Sequence, residues 1–335
     1  MRGKGRLFVL FAVLLLAAVG AFGAIRWAQA KWLASDGPIV YIPKTIDPGI
    51  EFWEVVRQGV DAAAAELGTD VRVFGADWEK DIDSQIRLAL QAIELRPKAI
   101  VLSAADYERL VPVARKIRSA GIPLILIDSG INGRYAESLV ATDNFEAGRK
   151  AGDALKEQLP DGGLVGVVSF IRASSPAIER EKGVLASLRE DGRYETVPTV
   201  YSDGLPDKAY EATRALLREY PGLAGIAALN EPSTVGAARA IEEAGAAGRV
   251  KLIGFDSSTD EIDYLEREVL QAIVVQKPFN MGYLAIKTAM RAYRGQKVEP
   301  LISTGSAVIT KQNMYGRENQ KLLFPFLGSS EEGAD

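Results

Sequence analysis

Polar and aromatic side chains recur in this 335-residue chain immediately after short apolar runs. Lys44 follows Ile39 to Ile42 across Pro43, and Phe52-Trp53 open the helical pattern beyond it. Asp77-Trp78 follow Val71 to Phe74, Asp128-Ser129 follow Pro123 to Ile127, and Arg172 lies just past Leu164 to Val168. In the second half Asn230-Glu231 follow Gly225 to Ala228, Asp256 follows Val250 to Phe255, and Gln276 follows Leu270 to Val275. A carboxylate accepts hydrogen bonds from hydroxyl groups, and a carboxamide both donates and accepts. Indole and phenyl faces cover the C–H patches of a sugar ring. Together these residue types suit capture of a small polyhydroxylated ligand.

The elements that would position them alternate. Val56, Val60, Ala63, Ala64 and Leu67 repeat at helical spacing and stop at Gly68. Ile82, Ile86, Leu90 and Ile93 mark a second helix, and Leu110 to Ile117 lies in a third. Interleaved with the runs at 39–42, 71–74, 99–102 and 123–127, they predict a parallel sheet with right-handed crossovers and helices on both faces. The pattern then repeats. Leu139 to Thr142 is strand-like, Asp143-Asn144 cap a helix through Leu159, and apolar runs follow at 164–168, 197–201, 225–228, 250–255 and 270–275. The helix near Asn280 to Tyr293 and the strand near Leu301 read as returns to the first half. In an open parallel sheet, ligands bind beyond the carboxyl ends of the strands, where the residues above collect.

Composition removes alternatives. The chain has no cysteine and no histidine, so thiolate nucleophiles, disulfides, the commonest general base and the commonest metal ligand are all missing. No phosphate-binding loop, serine elbow or metal-spaced cluster occurs, and Gly162-Gly163 precede a strand instead of following one. No catalytic residue, metal site or cofactor is expected. A net charge of −4 argues against nucleic acid as a partner. At the N-terminus Arg2, Lys4 and Arg6 precede an uncharged stretch from Leu7 to Ile25, which places the body of the protein outside the cytoplasm. Its length favours an uncleaved membrane anchor over a signal peptide cut after Ala28-Gln29-Ala30.

An ordered series of short motifs resembles the ribose-type family of periplasmic sugar-binding proteins, from about Ile39 to Ser306. Its carriers are Phe52-Trp53, Glu66-Leu67-Gly68, Ile122 to Asp128, Thr142-Asp143-Asn144 with Gly148, Arg180 with Gly183, Ala228 to Glu231 with Gly236-Ala237, Ile253 to Asp256, and Gln276-Lys277-Pro278. The resemblance implies the type I periplasmic binding protein fold, an α/β architecture of two doubly wound parallel-sheet lobes joined by a multi-crossing hinge. Residues 38–141 plus 277–303 would form one lobe and 142–276 plus 304–327 the other, after an N-terminal signal or anchor helix within 1–34 and before a disordered tail at 328–335. By the same resemblance Phe52 and Trp53 match the ring-stacking aromatics, and Asp128, Asn230, Asp256 and Gln276 the sugar-hydroxyl ligands. Two departures stand out: Ser129 where the family has arginine, and the loss of a second arginine near Ile178. Losing two rigid guanidinium forks alters the donor set, so the sugar need not be ribose. Lys44 resembles the first-strand lysine of proteins that bind a furanose-like quorum signal. Trp78, Ser129 and Arg172 are further candidate contacts, and Arg180 is expected to organise its lobe through hydrogen bonds.

The expected function is therefore an extracytoplasmic solute-binding protein, not an enzyme, that closes on a monosaccharide for an ABC permease. The alternatives are a membrane-anchored sensor reporting to a histidine kinase and a binder of the furanose-like signal.

Overall fold

The computed structural model describes Gly20 and residues 37–324; the proposed anchor segment 1–34 and tail 328–335 lie outside that continuous range. From its start the chain runs β1 (Ile39–Ile42), α1 (Glu51–Leu67), β2 (Val71–Val73), α2 (Ile82–Glu94), β3 (Ala99–Leu102), α3 (Val111–Ser119), β4 (Leu124–Ile127) and β5 (Ser138–Ala141). It continues through α4 (Asn144–Gln158), β6 (Gly163–Ser169), α5 (Ser175–Arg189), β7 (Tyr194–Thr196), β8 (Val200–Tyr201), α6 (Pro206–Glu219), β9 (Leu223–Ala228), α7 (Glu231–Glu243) and β10 (Lys251–Phe255). The last elements are α8 (Thr259–Glu266), β11 (Ala272–Val275), α9 (Pro278–Tyr293), β12 (Leu301–Ser303), β13 (Ala307–Ile309) and α10 (Arg317–Leu323). No helix among the described residues is long and apolar enough to cross a membrane.

Two sheets result, ordered β2-β1-β3-β4-β5-β12 and β7-β6-β9-β10-β11-β13, with β8 beside β6. Every pairing is parallel except β13 on β11. The chain passes from one sheet to the other at 142–143, at 276–277 and at 304–306. Strands β1, β3, β4 and β11 are buried at every position, as continuous apolar runs covered on both faces must be. In β1 the alternation divides two cores. Ile39 and Tyr41 join the layer under α1 and α9, while Val40 and Ile42 join the layer under α2 and α3.

The expected run 197–201 is not one strand. Pro198 has no N–H to give a ladder; β7 ends before it at Thr196, and of the expected run only Val200–Tyr201 forms a strand, β8. Helices α5 and α8 and strand β13 had no clear signal in the sequence. Helix ends follow local chemistry. Gly68 adopts φ 58° to close α1. Asp81 and Asp143 accept from Ser84 N–H and Glu146 N–H to start α2 and α4.

Two helix pairs pack backbone to backbone through facing glycines. A Cβ on Gly59 of α1 would stand 2.0 Å from the Phe279 carbonyl oxygen, and one on Gly282 of α9 equally close to that of Val56. Gly148 of α4 and Gly183 of α5 make the corresponding contact with the Arg180 and Phe145 carbonyls. The first pair brings the N-termini of α1 and α9 together beside the crossing at 276–277. The second carries Arg180 against Asn144.

Candidate functional site

The carboxyl ends of both sheets face each other across the interlobe cleft, where 13 residues line a small cavity of about 30 Å³. Lys44, Phe52, Trp53, Glu79 and Asp128 come from the first lobe, and Phe170, Arg180, Asn230, Asp256 and Gln276 from the second, with Ile50, Pro176 and Pro232 between them. All seven principal residues expected from the sequence are thus brought together. That volume holds a water or two, so a sugar is admitted only as the lobes part.

In the first lobe Asp128 follows β4 in a left-handed conformation, φ 62°. Such backbone is uncommon for a non-glycine residue and clusters at functional sites. Its Oδ2 accepts from Lys44 Nζ at 2.8 Å, Ser129 Oγ at 2.8 Å and Ser103 Oγ at 3.3 Å. Burial opposes ionisation of Asp128, but the ammonium of Lys44 beside it prevails and holds the carboxyl below the usual carboxylate range. Trp53 meets Phe52 edge to face at 5.0 Å and donates its indole N–H to Glu79 Oε1 at 2.6 Å. Burial pushes the Glu79 carboxyl up, against the pull of Lys44 and the indole hydrogen bond.

The second lobe repeats the arrangement with different partners. Asp256 follows β10 at φ 80° and accepts from Gln276 Nε2 at 2.7 Å and Glu231 N–H at 3.0 Å. Burial raises its carboxyl, opposed by the charge of Arg180. Arg180 is 2% exposed and donates to Asn144 Oδ1 and to the Leu229 carbonyl, both at 2.8 Å. Its guanidinium lies 4.6 Å from the Phe255 ring centroid and 5.7 Å from that of Phe170. Asn230 uses its Oδ1 to cap α7 at Ser233 N–H.

Several contacts span the lobes directly, and one of them caps a helix. Helix α1 begins at Ile50 without a side-chain cap of its own. Instead Glu231, on the first turn of α7, accepts from Glu51 N–H and Phe52 N–H, each at 2.9 Å. Burial, with Asp256 and Glu51 nearby, pushes the Glu231 carboxyl up to about 8. Gly130 N–H to Ser175 Oγ and Tyr107 N–H to the Ala173 carbonyl, both 2.8 Å, cross between the lobes nearby. A larger cavity of about 570 Å³ adjoins the site between α1, α8, the start of α9 and α10, sharing Phe52, Asp256 and Gln276 with it and lined also by Glu231. Its remaining walls mix apolar residues, among them Val55, Ile262, Phe279 and Phe324, with polar ones, among them Gln58, Ser257, Thr259 and Asn280.

Three candidates from the sequence take other places. Trp78 is 53% exposed, because its neighbour Glu79 takes the inward position in the loop after β2. Arg172 is exposed and lies over the Tyr201 ring at 3.7 Å. Ser129 is buried and serves Asp128 as a donor instead of lining the cavity. Conversely, sequence reasoning missed Glu79 and Phe170, and it gave Arg180 an organising role where the structure adds a face in the cavity. Glu79 and Phe170 carry the same signal as the others, a place just beyond a strand. Glu231, noted in the sequence beside Asn230 but not taken as a site residue, acts through the unmatched cap of α1.

The site is an assembly of donors, acceptors and aromatic faces suited to hold a small polar ligand. Residues 39–297 match the periplasmic binding protein domain family. The chain is 27% identical to the D-allose-binding periplasmic protein of Escherichia coli strain K12 over 259 residues, covering 75% of this chain and 83% of that one. Its backbone superposes with a TM-score of 0.83 on an ABC transporter solute-binding protein from Agrobacterium vitis with bound D-fucose, at 32% identity over 86% of this chain and all of the other. A carbohydrate transporter solute-binding protein from Agrobacterium radiobacter in complex with D-arabinose is similar to the same degree, with TM-score 0.83 and 29% identity over 87% and 99% of the two chains. With its two doubly wound lobes and three crossings, the chain belongs to the periplasmic binding protein family.

Proposed function

We propose that this protein captures a monosaccharide outside the cytoplasm by closing its two lobes and presents it to an ABC importer, with no chemistry performed on the sugar. The observation that carries this reading is the convergence at the strand ends of Lys44, Asp128, Arg180, Asn230, Asp256 and Gln276 around Phe52 and Trp53. Charged acceptors, carboxamides and ring faces on both walls match a polyol ring, and an analogue missing one hydroxyl would leave a buried group unpaired. Relatives named for D-allose, D-ribose and D-apiose binding support the ligand class. Lys44, the residue that pointed to a furanose-like signal, is paired here with Asp128 and belongs to the same constellation. The basic flank and apolar stretch at the N-terminus support export; whether Leu7 to Ile25 remains as a tether is a matter for mass spectrometry of the mature protein.

The test is a thermal-shift screen of the purified protein against D-allose, D-ribose, D-apiose, D-fucose and D-arabinose. A ligand bound only by the folded state stabilises it by RT ln(1 + [L]/Kd), roughly 4 kcal/mol at a thousandfold excess over Kd. A millimolar panel thus reveals micromolar binding as a clear rise in Tm. No shift with any of these sugars, from protein shown to be folded and free of carried-over ligand, would overturn the proposal.

A further inference from the structure

Among the carboxylates around the cavity, Glu79 is held differently from the rest. Asp128 is paired with Lys44, Asp256 accepts from Gln276 and a backbone N–H, and both oxygens of Glu231 accept backbone N–H groups. Glu79 has one oxygen engaged, Oε1 with the Trp53 indole. Its Oε2 is buried and has no partner. Gly204 of the second lobe lies beside it, where an added Cβ would stand 3.1 Å from Oε2, but its N–H already goes to Ser202 Oγ. Gln276 Oε1, from the opposite wall, is likewise buried without a donor. Two cavity-lining side chains, each with a buried acceptor that has nothing to accept, call for a ligand that brings donors. With Glu79, Asp128 and Asp256 around only Lys44 and Arg180, a ligand group bearing negative charge is disfavoured there.

We propose that Glu79 is a specificity-determining contact, whose free Oε2 accepts a hydrogen bond from one hydroxyl of the bound monosaccharide. This rests on the sugar-binding reading above and names which side chain chooses among sugars. The competing role is a positioning one, in which Glu79 only orients Trp53. The substitution Glu79→Gln separates the two. Its amide oxygen still accepts from the indole, while the atom facing the cavity changes from an acceptor to a donor.

The experiment is isothermal titration of wild type and E79Q with the tightest binder among D-allose, D-ribose, D-apiose, D-fucose and D-arabinose, and with the monodeoxy analogues of that sugar. Loss of a hydrogen bond to a charged group corresponds to roughly a tenfold or greater loss of affinity. E79Q should weaken the parent sugar by that factor, and one monodeoxy analogue should bind wild type and E79Q alike. An unchanged melting temperature for ligand-free E79Q shows that folding is not the cause. Should E79Q fold poorly, Glu79→Ala decides with the same analogues: the deoxy sugar that loses about tenfold in wild type should bind wild type and E79A alike, whereas an undiminished preference of E79A for the parent sugar overturns the proposal. If E79Q binds the parent sugar within twofold of wild type, Glu79 only positions Trp53 and the proposal is overturned. If folded wild type binds none of the five sugars of the thermal-shift screen, the sugar-binding reading fails and takes this proposal with it.

Discussion

Closure of the lobes should take up a proton at Glu231. In the closed structure its carboxyl is buried at the interlobe contact and pushed from 4.5 up to about 8. Parting the lobes returns it to water and to its ordinary value. Because the closed form has the raised value, it binds the proton more tightly. Closure is therefore favoured at low pH and weakens as pH rises between about 4.5 and about 8, with no further change from this group above that. One proton linked to closure makes the equilibrium fall by up to tenfold, about 1.4 kcal/mol, for each pH unit in that window. Asp256 and Glu79, which line the cleft and are raised by burial, act in the same direction. Asp128 does not compete, since its Lys44 partner is on the same lobe and stays with it in the open form. A chain without cysteine allows the measurement directly. Donor and acceptor dyes on Lys116→Cys and Glu219→Cys, exposed positions on opposite lobes, report the interlobe distance by energy transfer. The closed fraction should decline from pH 5 to pH 8.5. Glu231→Gln should flatten much of that slope and, with one cap acceptor lost from α1, lower closure at pH 5 by a factor of about five, on a cap value of about 1 kcal/mol. A pH-independent distance in wild type, or the same slope in E231Q, would refute the reasoning.

Two further outcomes concern the scaffold. Lys44→Met leaves Asp128, 4% exposed, as a buried charge without its partner and should cost about 3–5 kcal/mol in urea unfolding at pH 7. In wild type the depressed Asp128 contributes stability above its unfolded value of 3.8 and loses it as pH falls through the lower folded value. In K44M burial is opposed only by the more distant charge of Arg180 and the serine hydroxyls, so that dependence should weaken or reverse and mild acid narrow the gap between the two proteins. Gly59→Ala drives a methyl group to 2.0 Å from the Phe279 carbonyl and should lower stability by about 1–3 kcal/mol or more. Gly222→Ala, where no atom lies within 4 Å of the added carbon, serves as the control and should be close to neutral.

Much of the architecture was legible because buried parallel strands have to be continuous apolar runs, and Ile39 to Ile42, Ala99 to Leu102 and Leu124 to Ile127 are such runs. Strand-end position then located Asp128, Asn230, Asp256 and Gln276 without knowledge of the fold's depth. It misjudged Trp78 against Glu79, since adjacent loop residues share the same address and only packing decides which turns inward. Hydrophobicity argued for Trp78, but Trp53 offers an indole N–H that needs a buried acceptor, and Glu79 supplies it. Arg180 was expected to organise its lobe, and it bonds Asn144 and the Leu229 carbonyl; only its place in the cavity lining was not legible, because that depends on Gly148 and Gly183 bringing its helix against α4.

The two lobes are one design used twice, and the differences between the copies define the site. Counted from the β2 and β7 edges, β4 and β10 hold the same position in their sheets. Each ends in an aspartate with positive φ, so backbone strain is retained at both places where a carboxylate must turn into the cleft. Their partners then diverge. A lysine holds Asp128 ionised, a full-strength acceptor fixed in one lobe. Asp256 has a carboxamide and a backbone N–H at hydrogen-bonding distance, with Arg180 acting only through space, and burial wins. Its neighbour Glu231 takes its hydrogen bonds from the opposite lobe. Carboxylates whose environments push them apart in this way can divide their roles. On the proposed reading Asp128 would supply a constant anchor for a hydroxyl donor, and the Asp256–Glu231 group an acceptor whose protonation follows closure. The ligand and the closed state would then be read by the same few residues, as a clamp that releases its sugar to a transporter requires.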